Sequence, residues 1–227
     1  MEKGIVFTDV EFAWIDEEAE IGQGTYIGPF VTIGSGVKIG KDCKINKNAT
    51  INDSVIEDGV TIGEDSLVEK SRVGTGTEVL KSVIKESSIG ENSNIGPFAY
   101  LRPGSRIGNN VKIGDFVEIK NSIIGNGTKV SHLTYVGDSD LGEGINLGCG
   151  VVFVNYDGKE KHRSTVEDGA FIGCNVNIIS PVKIGKNAYV AAGTTVTRDV
   201  PPGSLGIGRQ KQEHHEGWVS RRGLIDR

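Results

Sequence analysis

Aliphatic residues recur along this chain at intervals of six residues, with a few intervals of five. Each of them is usually followed by glycine or by a small or polar residue. About thirty repeats can be followed, with a slip near residues 83–84 and a gap after residue 153. The series runs through Ile21, Ile27, Ile33, Ile39, Ile45, Ile51, Ile56, Ile62, Val68, Val73, Val79, Ile89, Ile95, Leu101, Ile107, Ile113, Ile119, Ile124, Val130, Val136, Leu141, Leu147, Phe153, Val166, Ile172, Ile178, Ile184, Val190 and Val196.

A period of six fits neither an α-helix nor one long strand that alternates at every second residue. It fits very short strands joined by tight turns, in which each strand directs one β-branched side chain inward. Three such strands close one triangular coil, and successive coils pair edge to edge as in other solenoids. A two-sheet sandwich would need turn signals every 8–12 residues or so, which this pattern does not give. The pattern therefore predicts an all-β fold, a parallel β-helix.

The same pattern suggests a division of the chain. Residues 1–20 precede the regular series and are predicted to be an N-terminal lead-in cap. Residues 21–200 are predicted to form the β-helix, interrupted by a loop at about residues 155–165. Residues 201–227 begin with Pro201 and Pro202, end in a charged stretch, and are predicted to be a C-terminal tail.

Composition narrows the class of protein. Hydrophobic residues make up 37% of the chain and aromatic residues 6%, which is low for a compact globule, and the 33 glycines are spread among Ile and Val. The net charge is 25 − 30 = −5, and the absence of a basic stripe argues against a nucleic-acid partner. No apolar run approaches the ~18 residues of a membrane span. The N-terminus lacks the basic-then-apolar pattern of a leader sequence. The three cysteines are far apart in the sequence, which argues against a disulfide framework. We expect a cytoplasmic protein.

Three departures from the repeat mark candidate chemistry. Arg102 and Lys120 occupy the slot that glycine usually holds, the repeat at Val130 reads VSHLTY, and the repeat at Phe153 opens into NYDGKEKHRST. Counting three repeats per coil stacks Arg102 on Lys120, one coil apart at about 4.8 Å between strands. The same count puts Glu118 and Tyr135 in one column, with His132 on the same face.

One corner of the β-helix is therefore expected to collect Arg102, Glu118, Lys120, His132 and Tyr135. Two stacked cations repel each other unless an anion lies between them, so the set suggests a phosphate site beside a base that a carboxylate orients. Alternative explanations remain: a surface ion pair with Glu118, a structural histidine, and an ordinary surface insertion. Because only one histidine lies on the coils, no metal site is expected.

The stretch from FAYLRPG to NYDGKEKHRST resembles a known family. The motifs LRPG, IGDFVE (VGNFVE in the family), HLTYVGD, NYDG-x-x-K, AAGTTVT and EGW are similar, in order and spacing, to those of the C-terminal acetyltransferase half of the bifunctional bacterial enzyme that makes UDP-N-acetylglucosamine. The resemblance covers residues from about 5 to Trp218. It implies a left-handed coil, a homotrimer with active sites between subunits, and transfer of acetyl from acetyl-CoA to the amine of glucosamine 1-phosphate.

The resemblance also implies residue roles. His132 would be the general base, and Glu118 would hold and polarise its imidazole. The other roles concern binding: Arg102, Lys120 and Lys161 for the sugar phosphate, Tyr135 and Asn146 for the sugar hydroxyls and ring, Asn155 and Tyr156 for substrate positioning and the charge on the thioester oxygen, and Cys149, Cys174, Ala192 and Arg209 for acetyl-CoA. A thioester is already activated, so neither a metal nor a covalent intermediate is expected.

The chain departs from the family pattern at several points. Cys149 stands where the family usually has alanine, Cys174 where it has serine, and His215 where it has lysine. We expect the two thiols to pack as small residues rather than to act as nucleophiles. The Gly-rich nucleotide motif of the uridyltransferase half does not occur, so acetylation without coupling to UTP is expected. Alternatives are an acetyltransferase for another amino sugar phosphate or nucleotide sugar, and a non-catalytic trimeric scaffold.

Overall fold

The computed structural model describes residues 4–224, and short parallel strands dominate it. Strands of two to four residues follow one another around three faces, and each pairs with the strand one coil later. Tyr26–Ile27, for example, pairs in parallel with Lys44–Ile45, which pairs with Thr61–Ile62. The chain is a left-handed parallel β-helix of about twelve coils. The fold class predicted from the six-residue period is confirmed.

The strands form three parallel sheets, one on each face of the triangular coil. The first sheet contains Val6–Phe7, Tyr26–Ile27, Lys44–Ile45, Thr61–Ile62, Glu78–Val79, Asn94–Ile95, Lys112–Asp115, Lys129–His132, Asn146–Leu147, Phe171–Ile172, Tyr189–Val190 and Leu205–Gly206. The second contains Trp14–Ile15, Thr32–Ile33, Thr50–Asn52, Leu67–Glu69, Val83–Lys85, Tyr100–Leu101, Glu118–Lys120, Tyr135–Gly137, Val152–Val154, Asn177–Ile179 and Thr195–Val196. The third contains Glu20–Ile21, Lys38–Ile39, Val55–Ile56, Arg72–Val73, Ser88–Ile89, Arg106–Ile107, Ile123–Ile124, Ser139–Leu141, Ser164–Val166 and Lys183–Ile184.

The strand ladders reach beyond residues 21–200 at both ends. The first coil carries the strand Val6–Phe7 and a 3₁₀ helix at Val10–Phe12, and the last strand is Leu205–Gly206. Hydrophobic side chains of the first coil are only partly buried against the core, because no coil covers them from outside. The step from Phe7 to Ile15 is eight residues, so the six-residue pattern does not reach the start of this coil. An exposed segment then leads to a short α-helix at Trp218–Arg221.

The core is a single column of inward aliphatic side chains, close to one from each strand. Ile113, Ile119 and Val130 have no exposed surface, and Phe153 is the largest of the fully buried side chains. Burial of each such side chain contributes about 1.5–3 kcal/mol relative to exposure. The ladder hydrogen bonds and this column fix the register of every coil. The outward side chains are therefore held in rows along each face, and the candidate site is built from those rows.

One glycine allows the coils to close beside the candidate site. A Cβ atom on Gly114 would collide with the backbone carbonyl of Ser131 on the next coil. Without that atom the strands Lys112–Asp115 and Lys129–His132 pair along four residues, twice the usual length. Their pairing reaches as far as Asp115 and His132, which are register partners.

Candidate active site

Arg102 and Lys120 occupy one row on the outer side of the second sheet. Leu101 and Ile119 are register partners on successive coils, so the residues that follow them are stacked one coil apart. The same ladder pairs Glu118 with Tyr135. Both stacking relations predicted by counting repeats are confirmed. Each cation has a carboxylate beside it: Arg102 Nη1 lies 2.7 Å from Glu118 Oε1, and Lys120 Nζ lies 3.4 Å from Asp138 Oδ2.

The segment 155–163 brings a third cation to this row. The segment folds back on itself, with an antiparallel bridge between Tyr156 and Lys161. Its far end is clamped by Arg163, which donates from Nε to Asp140 at 2.7 Å and from Nη1 to the Asn121 carbonyl at 2.9 Å. Contact with Lys120, together with the positive charges of Lys120 and Arg102, lowers the pKa of Lys161. Three cations therefore converge, which favours an anionic ligand.

Asp138 is the buried carboxylate that organises this cluster. Its side chain accepts hydrogen bonds from Asn121 Nδ2 at 2.6 Å and from Asn155 Nδ2, besides its contact with Lys120. Burial would raise the pKa of Asp138, but these hydrogen bonds and the Lys120 charge outweigh burial and lower it. Asp138 is thus an anion that lies against Lys120, Asn121 and Asn155. Sequence reasoning gave it no role, although it ends the motif HLTYVGD.

His132 stands at the corner between the first and second sheets, not on the face that carries the cations. Its Nδ1 lies 2.5 Å from Asp115 Oδ1, and Glu118 is bonded to Arg102 instead. The expected contact between Glu118 and His132 is therefore not made within this chain. The reason is register: Asp115 is directly opposite His132, whereas Glu118 lies three residues further on, past the corner. The carboxylate beside the imidazole is one that sequence reasoning missed.

A second row of candidate residues follows the corner of His132. Val130, Leu147, Ile172 and Val190 are register partners on successive coils. The residues two positions after them are therefore stacked in one row: His132, Cys149, Cys174 and Ala192. Arg209 reaches the end of this row, with Nη1 donating to the Ala192 carbonyl at 2.6 Å. The residues predicted to contact acetyl-CoA thus form a continuous row that begins at the candidate base.

The remaining candidates are divided between faces. Tyr135 and Asn155 both lie over Gly137. A Cβ atom on Gly137 would collide with the Tyr135 hydroxyl and would lie 2.7 Å from Asn155 Nδ2. Tyr156 is exposed in the folded-back segment, and its hydroxyl donates to the Gly158 carbonyl at 2.7 Å. Asn146 lies on the first sheet between Lys129 and Phe171. It is therefore on a different face from the cations.

An exposed apolar ridge lies beside the row of His132. Phe98, Phe116 and Leu133 are 54%, 58% and 57% exposed, and the two phenylalanine rings stack with centroids 5.4 Å apart. Each of the three residues has a positive φ, a conformation that bulky side chains rarely adopt. Asparagine, aspartate or glycine would suit these positions better and would not expose apolar surface. A ridge of this kind is a candidate interaction surface.

Comparison with protein families gives two matches. The family described as GMPPB C-terminal domain matches residues 10–89. The family described as bacterial transferase hexapeptide, six repeats, matches residues 86–121 and 163–198. The two matches together span most of the β-helix, on both sides of the folded-back segment.

Curated relatives are similar over a longer stretch. The Bifunctional protein GlmU of Clostridium acetobutylicum is 56% identical over 172 residues, 76% of this chain and 38% of the relative. That of Clostridium botulinum is 47% identical over 225 residues, 99% of this chain and 46% of the relative. That of Acetivibrio thermocellus is 49% identical over 225 residues, 99% of this chain and 45% of the relative. The chain spans less than half the length of these relatives.

The coils and the match to the bacterial transferase hexapeptide family define a hexapeptide-repeat transferase. With relatives at 47–56% identity, the chain belongs more narrowly to the GlmU family, and it is similar to less than half of the length of those relatives. Within residues 4–224, no helix is both long and apolar enough to span a membrane. In the same range, no group of three or more His, Cys, Asp or Glu side chains has the arrangement of a metal site.

Proposed function

We propose that this chain transfers the acetyl group of acetyl-CoA to the amine of glucosamine 1-phosphate, giving N-acetylglucosamine 1-phosphate for UDP-N-acetylglucosamine synthesis. The observation that carries the proposal is the convergence of Arg102, Lys120 and Lys161 on one face, a corner away from His132. Three cations around one point match a phosphate through charge-assisted hydrogen bonds. The relatives named GlmU and the hexapeptide transferase match support the reaction class.

In the proposed reaction the sugar amine is the nucleophile and His132 the general base. A protonated amine cannot attack, and an imidazole has a basicity suited to taking its proton near neutral pH. The amine nitrogen bonds to the thioester carbonyl carbon, the carbonyl becomes a tetrahedral oxyanion, and its collapse breaks the carbon–sulfur bond. The sulfur leaves as the CoA thiolate and is protonated by the imidazolium. Asn155 and Tyr156 are proposed to stabilise the charge on the oxygen.

The two rows have separate tasks in this proposal. The cation row on the second sheet binds the sugar phosphate, and Tyr135 and Asn146 bind the sugar ring and hydroxyls. The corner row of Cys149, Cys174 and Ala192, with Arg209 at its end, binds acetyl-CoA with the thioester near His132. Small side chains along that row leave space for a long ligand.

The separation of these elements supports a homotrimer. His132 lies at one corner, whereas Asn146 lies on the first sheet and the cations on the second, so one chain does not surround a substrate. The ridge of Phe98, Phe116 and Leu133 is exposed beside His132 and would be covered by a neighbouring copy. We therefore propose that the active site lies between subunits in a trimer. A cytoplasmic location would suit the acetyl-CoA substrate.

The acceptor is tested by following thiol release from acetyl-CoA with glucosamine 1-phosphate, glucosamine 6-phosphate and unphosphorylated glucosamine in parallel. We expect kcat/KM for glucosamine 1-phosphate to exceed that for glucosamine by at least about 10²-fold, because charge-assisted hydrogen bonds contribute about 1.5–3 kcal/mol each. A preference for the 6-phosphate would redirect the proposal to another amino sugar phosphate. Absence of turnover with all three sugars, from a folded trimer, would contradict it.

A further inference from the structure

Asp115 and His132 form a side-chain pair that the ladder itself holds in place. Their backbones are register partners at the end of the four-residue pairing, and the Leu133 N–H donates to the Asp115 carbonyl at 2.9 Å. Asp115 Oδ1 and His132 Nδ1 are 2.5 Å apart. Because the two coils are bonded to each other at this corner, the backbones that carry the carboxylate and the imidazole stay side by side.

The surroundings keep Asp115 ionised. The hydrogen bond with His132 lowers the pKa of Asp115, and the charge of Lys112 contributes in the same direction. Lys129 on the strand of His132 is the register partner of Lys112 and of Asn146, and Cys149 follows His132 in the corner row. An ionised carboxylate has no proton to donate and can only accept a hydrogen bond. The hydrogen between the two side chains must therefore belong to Nδ1.

We propose that Asp115 is the positioning residue for His132. It holds the imidazole in the tautomer protonated at Nδ1, so that the lone pair of Nε2 is available as the base. The inference rests on the proposed function, in which His132 takes a proton from the sugar amine. The hydrogen bond that one ring nitrogen makes determines which nitrogen carries the proton. A free imidazole side chain in water favours the opposite tautomer, protonated at Nε2.

Glu118 then has a different task from the one the family resemblance implied. It lies 2.7 Å from Arg102 and orients that guanidinium in the cation row. An asparagine amide in place of the Asp115 carboxylate can either accept from an imidazole or donate to it, so it does not select one tautomer. The carboxylate in this chain selects the productive one.

The test uses the full chain with ¹⁵N-labelled histidine and reads the imidazole nitrogen resonances at a pH where His132 is neutral. The His132 signals are assigned by their loss in His132→Gln. In the unsubstituted chain we expect His132 to carry its proton on Nδ1. In Asp115→Ala the proton should move largely to Nε2, and kcat should fall roughly tenfold while both KM values change less than about twofold. Asp115→Asn should show both tautomers.

A matched control is available on the same corner. Glu64 occupies the equivalent position three coils earlier and pairs with Lys81 on the next coil at 3.1 Å. Glu64→Ala removes a carboxylate from the same row and should change neither the tautomer of His132 nor kcat. If Asp115→Ala keeps the Nδ1–H tautomer, the inference is overturned even when activity falls. If the unsubstituted chain shows that tautomer but acetylates no amino sugar, the proposed function fails and the Asp115 contact stands.

Discussion

Replacing His132 by alanine is expected to lower kcat for acetylation of glucosamine 1-phosphate by at least about 10²-fold, which is the usual loss when a general base is removed. The side chain is 56% exposed and contributes nothing to the inward aliphatic column. Steady-state kinetics of thiol release measure the effect, and light scattering should give the same assembly mass for variant and parent.

The control for this variant is His214→Ala, which removes a histidine from the exposed C-terminal segment. That change should leave kcat within about twofold, because His214 is exposed and its imidazole contacts Gln212 of the same segment. Turnover of His132→Ala within threefold of the parent, in an assembly of unchanged mass, would remove His132 as the base. The thiols of Cys149 and Cys174 in the same row would then need testing in its place.

Replacing Lys120 by methionine is expected to raise KM for glucosamine 1-phosphate by roughly 10–100-fold, which corresponds to the loss of one charged hydrogen bond of about 1.5–3 kcal/mol. Methionine keeps most of the length and packing of a side chain that is only 20% exposed, so the charge is the main loss. The KM for acetyl-CoA should stay within about twofold, because that ligand is assigned to the other row. Initial rates at varied concentrations of each substrate measure the two constants.

Lys38→Met is the matched control for the Lys120 variant. Lys38 also lies on the outside of a strand with one carboxylate partner, Glu20, at 2.8 Å, but on the third sheet near the N-terminal end. The substitution Lys38→Met removes the same charge as Lys120→Met but leaves the cation row intact. The KM for glucosamine 1-phosphate should therefore not change. An equal rise in KM for both variants would indicate a general effect of net charge rather than a phosphate site.

The six-residue period was enough to predict the fold, because the inward position of each short strand in a β-helix is aliphatic and recurs at that interval. Counting three repeats per coil also predicted that Arg102 would stack on Lys120 and Glu118 on Tyr135. These relations follow from strand register alone. The sequence therefore predicted which residues share a row wherever the coils are regular.

The contacts that could not be predicted are those made by side chains at the corners between the sheets. Counting placed His132 with Glu118 because both are outward residues of neighbouring repeats. It could not show that the strand Lys129–His132 continues to the corner and brings the imidazole opposite Asp115. The signal in the sequence was the aspartate of IGDFVE, a second carboxylate three residues before Glu118.

The position of Lys161 could not be predicted either, because it depends on side-chain contacts that do not follow the six-residue repeat. The segment 155–163 turns back because Arg163 is bound to Asp140 and Asn155 to Asp138, all at sites distant in sequence. A resemblance to a family could suggest the role of Lys161 but not the clamp that holds it. Asp138 went unnoticed because a buried aspartate after glycine is indistinguishable in sequence from an ordinary turn residue.

The identity of the product tests the central proposal most directly. Acetyl-CoA and glucosamine 1-phosphate are incubated with the full chain, and the product is examined by mass spectrometry and proton NMR before and after treatment with hydroxylamine. The proposal predicts one acetyl group in an amide at the C2 nitrogen, stable to hydroxylamine, with one thiol released for each amide formed. An acetyl ester that hydroxylamine removes, or thiol release with no acetylated sugar phosphate, would contradict it.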